Sequence, residues 1–453
     1  SIYTSGSLIG IILTALSIGY YVGGKIADLY PREELIFYFT FFSGLYLLGV
    51  FFSYKLILTY FQNFDLTVGA ILSTTVIFGV PMTLLSMTSP YLIKVMTSLD
   101  KIGESSGKIF SISTIGSISG SFISTFLLIP TYGSRQTLII CIISLFAIST
   151  IGLLKFKMQK KYLLVIFVPL LLLIKPYSEN NKSLIHESES IYNLIRIYNK
   201  NKTLTMMINN PKWRQSYRPN MKKLKKSYRE YFLITPFLTK VDSILILGMS
   251  AGASVHEFNH FFDVKIDAVE IDPEIVILAK KYFNIKEDEK FHIYTEDAKN
   301  YLTKSNKQYD FIEIDLFQGG AEIPFYVATK EFFEQVYMHT SKNGIIMMNV
   351  LGNYYKSNSN KLAKSIANTI STHFTSVYIM PVRNNTIIIA SKNLTTLKEV
   401  KNKLASVNHK DLKYFSREMS KKLLKYTFNP EETIFTDDKS SIELIANQIA
   451  RGK

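Results

Sequence analysis

Cysteine is all but missing from this chain: Cys141 is the only one in 453 residues. One thiol builds neither a disulfide framework nor a thiolate zinc site, so both are excluded, and the redox compartment goes unread. Charge is scarce in the first part. Residues 1–175 hold twelve Lys/Arg and six Asp/Glu, and the rest of the chain carries the other 40 and 30. A cleavable signal pattern is absent as well. The chain opens inside what reads as a spanning helix, as a fragment that had lost an earlier span would. The net charge of +16 suits nucleic acid or an anionic lipid surface. The lysines are scattered and no nucleic-acid-binding motif accompanies them. The expectation is therefore a solvated surface beside anionic lipid, and no nucleic-acid partner.

What is present falls into two kinds of sequence. A helix crossing the hydrocarbon core needs about 20 mostly apolar residues. Segments 3–22, 36–54, 66–95, 109–129 and 136–154 qualify. Segment 162–174 is apolar but shorter, and it contains Pro169. Gly79, Pro81 and Pro90 interrupt the third candidate, which predicts a kinked or broken helix. Gly107, Ser111, Gly116 and Gly120 on the fourth have a spacing that lets helices approach closely in lipid. Packing, not transport, is their expected role. Loops with Lys25/Arg32, Lys94/Lys101/Lys108 and Lys155/Lys157/Lys160/Lys161 fall on one side and outweigh those with Lys55 or Arg135. The positive-inside rule puts that side in the cytoplasm. A fully spanning 162–174 then places the second half outside; a re-entrant or interfacial one places it inside.

The second half alternates strands with helices. Residues 176–190 read as a polar linker. Ile191–Tyr198 and Leu204–Asn209 read as a hairpin around Asn199–Lys202. Buried parallel strands are predicted at Ser243–Leu247, Lys265–Ile271, Phe291–Tyr294, Tyr309–Ile314 and Gly344–Val350. Helices follow the first two, one ending near Phe262 and one starting at Pro273, and another covers 329–340. Strands near 375–382 and 385–391 close the sheet as a hairpin. The predicted fold class is a multi-pass α-helical membrane domain over 1–175, a linker and small β-hairpin region over 176–238, and an α/β Rossmann-like (methyltransferase-type) domain over 239–453.

Open α/β sheets bind ligands at the carboxyl ends of their strands. Gly248, Ser250 and Gly252 form a turn there that lets backbone approach a ligand. Glu270 ends the second strand, where an acid can accept both hydroxyls of a ribose; Ile271 follows it. Asp297, after the third strand, can accept from an adenine amino group, and the Ala298 backbone faces the ring. Asp315 ends the fourth strand, where a carboxylate can orient or deprotonate a nucleophile; a helix-capping role is the bland alternative. His256 and His260 have metal-ligand spacing, but no cysteine or fitting carboxylate motif joins them. No metal is expected.

At this point the chain resembles the spermidine synthase (polyamine aminopropyltransferase) family, its membrane-fused bacterial members in particular. The matching pieces run in order: Gly23–Asp28, Gly107–Gly133, Glu189–Tyr192, Tyr228–Tyr231, Ile244–Gly252, Glu270–Pro273, Glu296–Ala298, Tyr309–Asp315, Ile323–Phe332, and Thr436–Asp438 with Glu443. The resemblance implies a small β-region before the Rossmann-like domain, ribose on Glu270, adenine at Asp297 and a catalytic Asp315. It implies an amine that displaces methylthioadenosine from decarboxylated S-adenosylmethionine. It also makes Gln215 a cofactor contact and sets Tyr228, Glu230 and Gln318 on the acceptor side. Asp437 and Asp438 either approach the site or cap a loop.

Two positions depart from the family pattern. Ala251 and Gln318 stand where it has aspartates, so two anionic contacts for a cationic group are missing. The cofactor is then S-adenosylmethionine or its decarboxylated form, and putrescine is not the assured acceptor. A small-molecule amine or a lipid-linked acceptor fits, with the lipid bilayer as partner and room for a homodimer. The adenosyl ligand favours a cytoplasmic catalytic domain on a multi-pass protein of the cell (inner) membrane. Methyl transfer on the same fold, and a non-catalytic membrane transporter or nucleoside sensor, are the competing functions.

Overall fold

The described residues among the first 156 are helical apart from short connections, such as 30–33 and 63–64. Helices α1 (Ile2–Leu29) and α2 (Glu34–Phe61) are continuous. The third expected span is broken into α3 (Leu66–Thr74), a π-turn at Thr75–Gly79, α4 (Val80–Ser86) and α5 (Thr88–Met96). Pro81 lies just past the π-turn, and a proline there has no N–H for the ladder. Then come α6 (Ile102–Phe122) and, beyond a second π-turn, α7 (Ile129–Lys155). Four stretches are long and apolar enough to cross a membrane: Ser5–Leu29, Glu34–Phe61, Thr67–Met96 and Gly103–Lys155. The last has 53 residues. As one rod it would run about 80 Å, well over twice the ~30 Å hydrocarbon core. The backbone breaks inside it at Gly133, with φ 82° and ψ 160°, between the expected segments 109–129 and 136–154.

The structure describes residues 2–61, 63–64, 66–96, 102–156, 183–201, 203–209, 214–219, 221, 224–316, 323–355, 357–393, 396–439 and 442. It is a computed structural model, and its chain divides into two compact units, Ser1–Asn180 and Asn181–Lys453. Segment 162–174 lies outside the described residues.

Within the first unit α2 packs on α7 through Phe41, Leu48, Phe51, Ile139, Ile142 and Phe146. Asp28 pairs with Lys94 at 2.8 Å, and the Arg32 N–H donates to the Tyr91 hydroxyl at 3.0 Å, so these basic loops share one end. Arg135 lies over the Phe51 ring and marks the other end. Among the described residues the small-residue stripe on the fourth span does not mediate close packing. A methyl group added at Gly107, Gly116 or Gly120 would meet nothing within 4 Å. Close approach occurs instead at Gly19 against Ser86, Gly23 against Met87 and Gly152 against the Phe37 ring. The physical reason is that nearly every side of α6 is left uncovered by the described residues.

The second unit holds two sheets. The small one is four antiparallel strands in chain order, β1 (Leu184–Glu189), β2 (Leu194–Lys200), β3 (Thr203–Ile208) and β4 (Arg214–Tyr217). The expected hairpin is thus its centre. The expected linker is corrected: its last residues are the edge strand β1, whose sequence Leu-Ile-His-Glu-Ser-Glu lacks an apolar run. Ile195, Ile197, Met206 and Ile208 alternate inward and pack on Ala251, Ile275, Leu278 and Phe283 of the larger layer.

The large sheet has order β12-β10-β11-β9-β8-β5-β6-β7. Its parallel strands are β5 (Ser243–Leu247), β6 (Lys265–Val269), β7 (Phe291–Tyr294), β8 (Tyr309–Ile314) and β9 (Thr340–Leu351). The hairpin β10 (Ser376–Val382) and β11 (Asn385–Ser391) pairs antiparallel onto β9. The three-residue edge strand β12 (Leu424–Tyr426) was not expected; Leu-Lys-Tyr is too short and polar to read. Helices cover both faces, because strands such as Ile-Leu-Ile-Leu are buried on both sides. The order reverses between β5 and β8, so their carboxyl ends open a crevice there.

Candidate active site

A cavity of about 680 Å³, counting its open mouth, occupies that crevice. Four carboxylates line it, those of Glu270, Glu296, Asp297 and Asp315, and among its described lining residues there is no Lys, Arg or His. Glu296 is paired with Lys304 at 2.8 Å.

The turn after β5 forms the floor. Gly248 has φ 95°, and a methyl group there would collide with the Asp315 carbonyl oxygen. Ser250 also has positive φ, and its N–H donates to Glu270 Oε2 at 2.8 Å. Glu270 Oε1 accepts from the Asp272 N–H at 3.2 Å. The Ile271 N–H also stabilises this carboxylate. Burial is the dominant effect on this carboxyl and pushes its pKa up to about 7.

Asp297 caps the helix Ala298–Lys304, accepting from the Lys299 and Asn300 N–H groups through Oδ1. Its Oδ2 accepts from the Tyr326 hydroxyl at 2.9 Å. Tyr326 lines the cavity beside Asp297.

Asp315 carries the densest chemistry. Oδ2 accepts from the Tyr228 hydroxyl at 2.7 Å, and Oδ1 accepts from Asn349 Nδ2 at 2.9 Å. Asn385 Nδ2 donates to Asn349 Oδ1 at 2.8 Å, which fixes the orientation of that amide. Burial raises the Asp315 pKa; the Asn349 and Tyr228 hydrogen bonds and the nearby Arg229 charge oppose it. Burial also raises the Tyr228 pKa, with the Asp315 charge adding to it. Behind this pair lie buried Arg229, Glu257 and Glu313. Desolvation pushes both glutamates up to about 8, and Ser254 donates to Glu313 at 2.6 Å.

The structure therefore brings together Gly248, Ser250, Glu270, Ile271, Asp297, Ala298 and Asp315 in one cavity, with Tyr228 bonded to Asp315. Gly252, with φ 75°, starts the helix Ala253–Phe261 and packs against Ile285. Glu230 is a correction. It is fully buried, and its carboxylate is taken up by four donors: the Tyr217 hydroxyl, the Lys225 and Ser227 N–H groups and the Ser227 hydroxyl. It ties β4 to the following loop and has no oxygen to offer an acceptor. Asp437 accepts from the Thr329 hydroxyl and from Lys299 Nζ and is not among the described residues lining the cavity. Gln318, Glu443 and the Gln215 side chain lie outside the described residues. Sequence reasoning missed Asn349, Asn193 and Tyr192 as site residues. Tyr192 and Tyr326 fall within stretches already matched to the family; nothing in the sequence marks Asn349.

Residues 225–403 match the family described as spermine/spermidine synthase domain. A probable polyamine aminopropyl transferase of Bifidobacterium longum is 28% identical over 281 residues, 58% of this chain and 62% of that protein. A polyamine aminopropyltransferase of Vibrio vulnificus is 26% identical over 197 residues, covering 41% of this chain and 66% of its own length. The chain thus spans less than two thirds of these relatives. The crystal structure of a probable spermidine synthase from Corynebacterium glutamicum aligns over 58% of this chain and 99% of its own, with 17% identity and a TM-score of 0.43.

Proposed function

We propose that the chain is a membrane-anchored aminopropyl-type transferase acting on an adenosyl sulfonium, with an amine as acceptor. The observation that carries this reading is Asp315, held by Tyr228 and Asn349 in the same cavity as Glu270 and Asp297. The names of the relatives support the reaction class. The amine nitrogen attacks the methylene carbon bonded to sulfur. The C–S bond breaks with its electron pair on sulfur, neutral methylthioadenosine leaves, and the amine gives up a proton. The sulfonium is already a good leaving group, so the protein's share is positioning and proton removal. Asp315 is the base. Its burial strengthens its hold on a proton, and its two hydrogen bonds aim the carboxylate. Glu270 takes the ribose hydroxyls, and Asp297 with Tyr326 borders the adenine.

The lining favours the decarboxylated donor. Intact S-adenosylmethionine would bring its own carboxylate among four others, with no cationic partner among the described lining residues. The alanine at 251 does not argue the other way. It is fully buried against Ile195, Ile197 and Met206 and does not line the cavity. The adenosyl donor places the domain on the cytoplasmic side of the bilayer.

The test is to supply purified protein and an amine with S-adenosylmethionine and, separately, with its decarboxylated form, and to identify the products by mass spectrometry. Methylthioadenosine from the decarboxylated donor is expected. S-adenosylhomocysteine would overturn the proposal in favour of methyl transfer. Ligand binding without turnover, unaltered by Asp315→Asn, would favour a sensor.

A further inference from the structure

The turn 190–193, between β1 and β2, belongs to the small sheet yet reaches the cavity, where Tyr192 and Asn193 form part of its lining. Its shape is set by Ser190. The Ser190 hydroxyl oxygen accepts from the Tyr192 N–H at 3.1 Å and the Asn193 N–H at 2.9 Å, a side-chain-closed turn. The same hydroxyl donates to Asp272 Oδ2 at 2.6 Å. Asn193 Nδ2 donates to that oxygen at 2.9 Å. Asn209, at the end of β3, braces Asn193 from behind at 2.9 Å.

Asp272 is fully buried and is engaged on three sides. Oδ1 caps the helix Pro273–Phe283 by accepting from the Glu274 N–H at 3.0 Å. Oδ2 holds the turn. The Asp272 backbone N–H donates to Glu270 Oε1, one of the two oxygens assigned above to the ribose. One residue therefore connects the ribose carboxylate to the only described stretch of the small sheet's turns that lines the cavity. A buried carboxylate gives up its hydration, and charge-assisted bonds to both partners are what make that burial tolerable.

We infer that Asp272 is a positioning residue for donor binding: it fastens the 190–193 turn over the nucleoside cavity, so that Tyr192 and Asn193 become part of the binding wall. This rests on the nucleoside reading of the cavity. It adds that affinity for the nucleoside depends on a residue that does not touch it and on the small sheet being docked.

The experiment measures the dissociation constant of methylthioadenosine by calorimetry for the full-length wild type, Asp272→Asn, Ser190→Ala and the double variant. An asparagine has one oxygen for the two duties of Asp272, the helix cap and the turn. Each single variant is expected to weaken binding about tenfold, and the double variant by about the same factor, because both break one latch. Ser190→Thr restores the hydroxyl and the affinity. Turnover at saturating donor stays within about threefold of wild type, since Asp315 is untouched. Ser190 lies outside the capped helix, so Ser190→Ala keeps the question open to an answer if Asp272→Asn does not fold. Folded single variants with wild-type affinity, or effects that multiply to about a hundredfold in the double variant, overturn the inference alone. A wild type that does not bind the probe overturns the functional reading, and this inference with it.

Discussion

Glu270→Gln is the sharpest test of the nucleoside end. The Glu270 carboxylate accepts the backbone N–H of Ser250 on Oε2 and of Asp272 on Oε1, and on the ribose reading both oxygens also accept from the two hydroxyls. Glutamine keeps a single oxygen. Its amide nitrogen must then face one of the two N–H donors. That unsatisfied donor costs stability in the free and bound states alike, so it drops out of the binding difference. What binding loses is one charge-assisted hydrogen bond, about 1.5–3 kcal/mol, or roughly 10- to 150-fold in affinity. Ionisation provides a second signature. Burial pushes the Glu270 pKa to about 7, and only the carboxylate form offers both oxygens as acceptors. Wild-type affinity for methylthioadenosine should then fall about 30-fold as pH drops from about 8 to about 5.5, while the glutamine variant stays flat. Calorimetric titration at several pH values reads both effects. A variant that binds within threefold of wild type, or a flat wild-type profile, would refute the assignment.

Asp315→Asn should lower kcat by about 10² or more, yet leave methylthioadenosine affinity nearly unchanged; a matched loss of affinity in single-turnover and binding assays would show that Asp315 holds the nucleoside instead. Glu313 and Glu257 both have folded pKa values raised to about 8 from an ordinary 4.5. Between these limits the folded state holds protons that the unfolded chain has lost. Their cost is therefore absent below about pH 4.5 and grows as pH rises toward 8. Glu313→Gln keeps the Ser254 bond and removes the proton, so its loss of stability with rising pH should be shallower by up to about 1.4 kcal/mol per pH unit. Denaturant melts of wild type and variant at pH 5 to 8 measure this, and parallel curves would count against a protonated Glu313.

Much of the layout follows from local chemistry. The run Ser243–Leu247 is apolar at every interior position, and Gly248 follows it, so strand and turn are legible together. Asp272-Pro273 announces a helix start because the carboxylate caps and proline needs no N–H. The strand-end acids Glu270, Asp297 and Asp315 follow from the same reading, since each falls just past a recognisable parallel strand. Strand β1 was illegible because polar residues alternate along it, with His186 turned inward against Tyr282, and pairing with β2 rather than an apolar run makes it a strand. Glu230 misled for a related reason. A charged residue beside Tyr228 reads as a site residue, but its four donors come from β4 and the preceding loop, and only the fold brings them in.

By itself the sequence determined the two-part character of the chain, the parallel strands, and which carboxylates stand at their ends. These depend on apolar periodicity and on residues adjacent in the chain, where physics is short-range. The tertiary structure alone decided which of those carboxylates share one cavity. It also decided that Ala251 faces the small sheet instead of the cavity, that Asn349 and Asn385 aim Asp315, and that α6 offers its glycines to no described neighbour. Those outcomes depend on contacts between residues tens of positions apart, and on burial, which sets the proton affinity of each acid and leaves no trace in the local sequence.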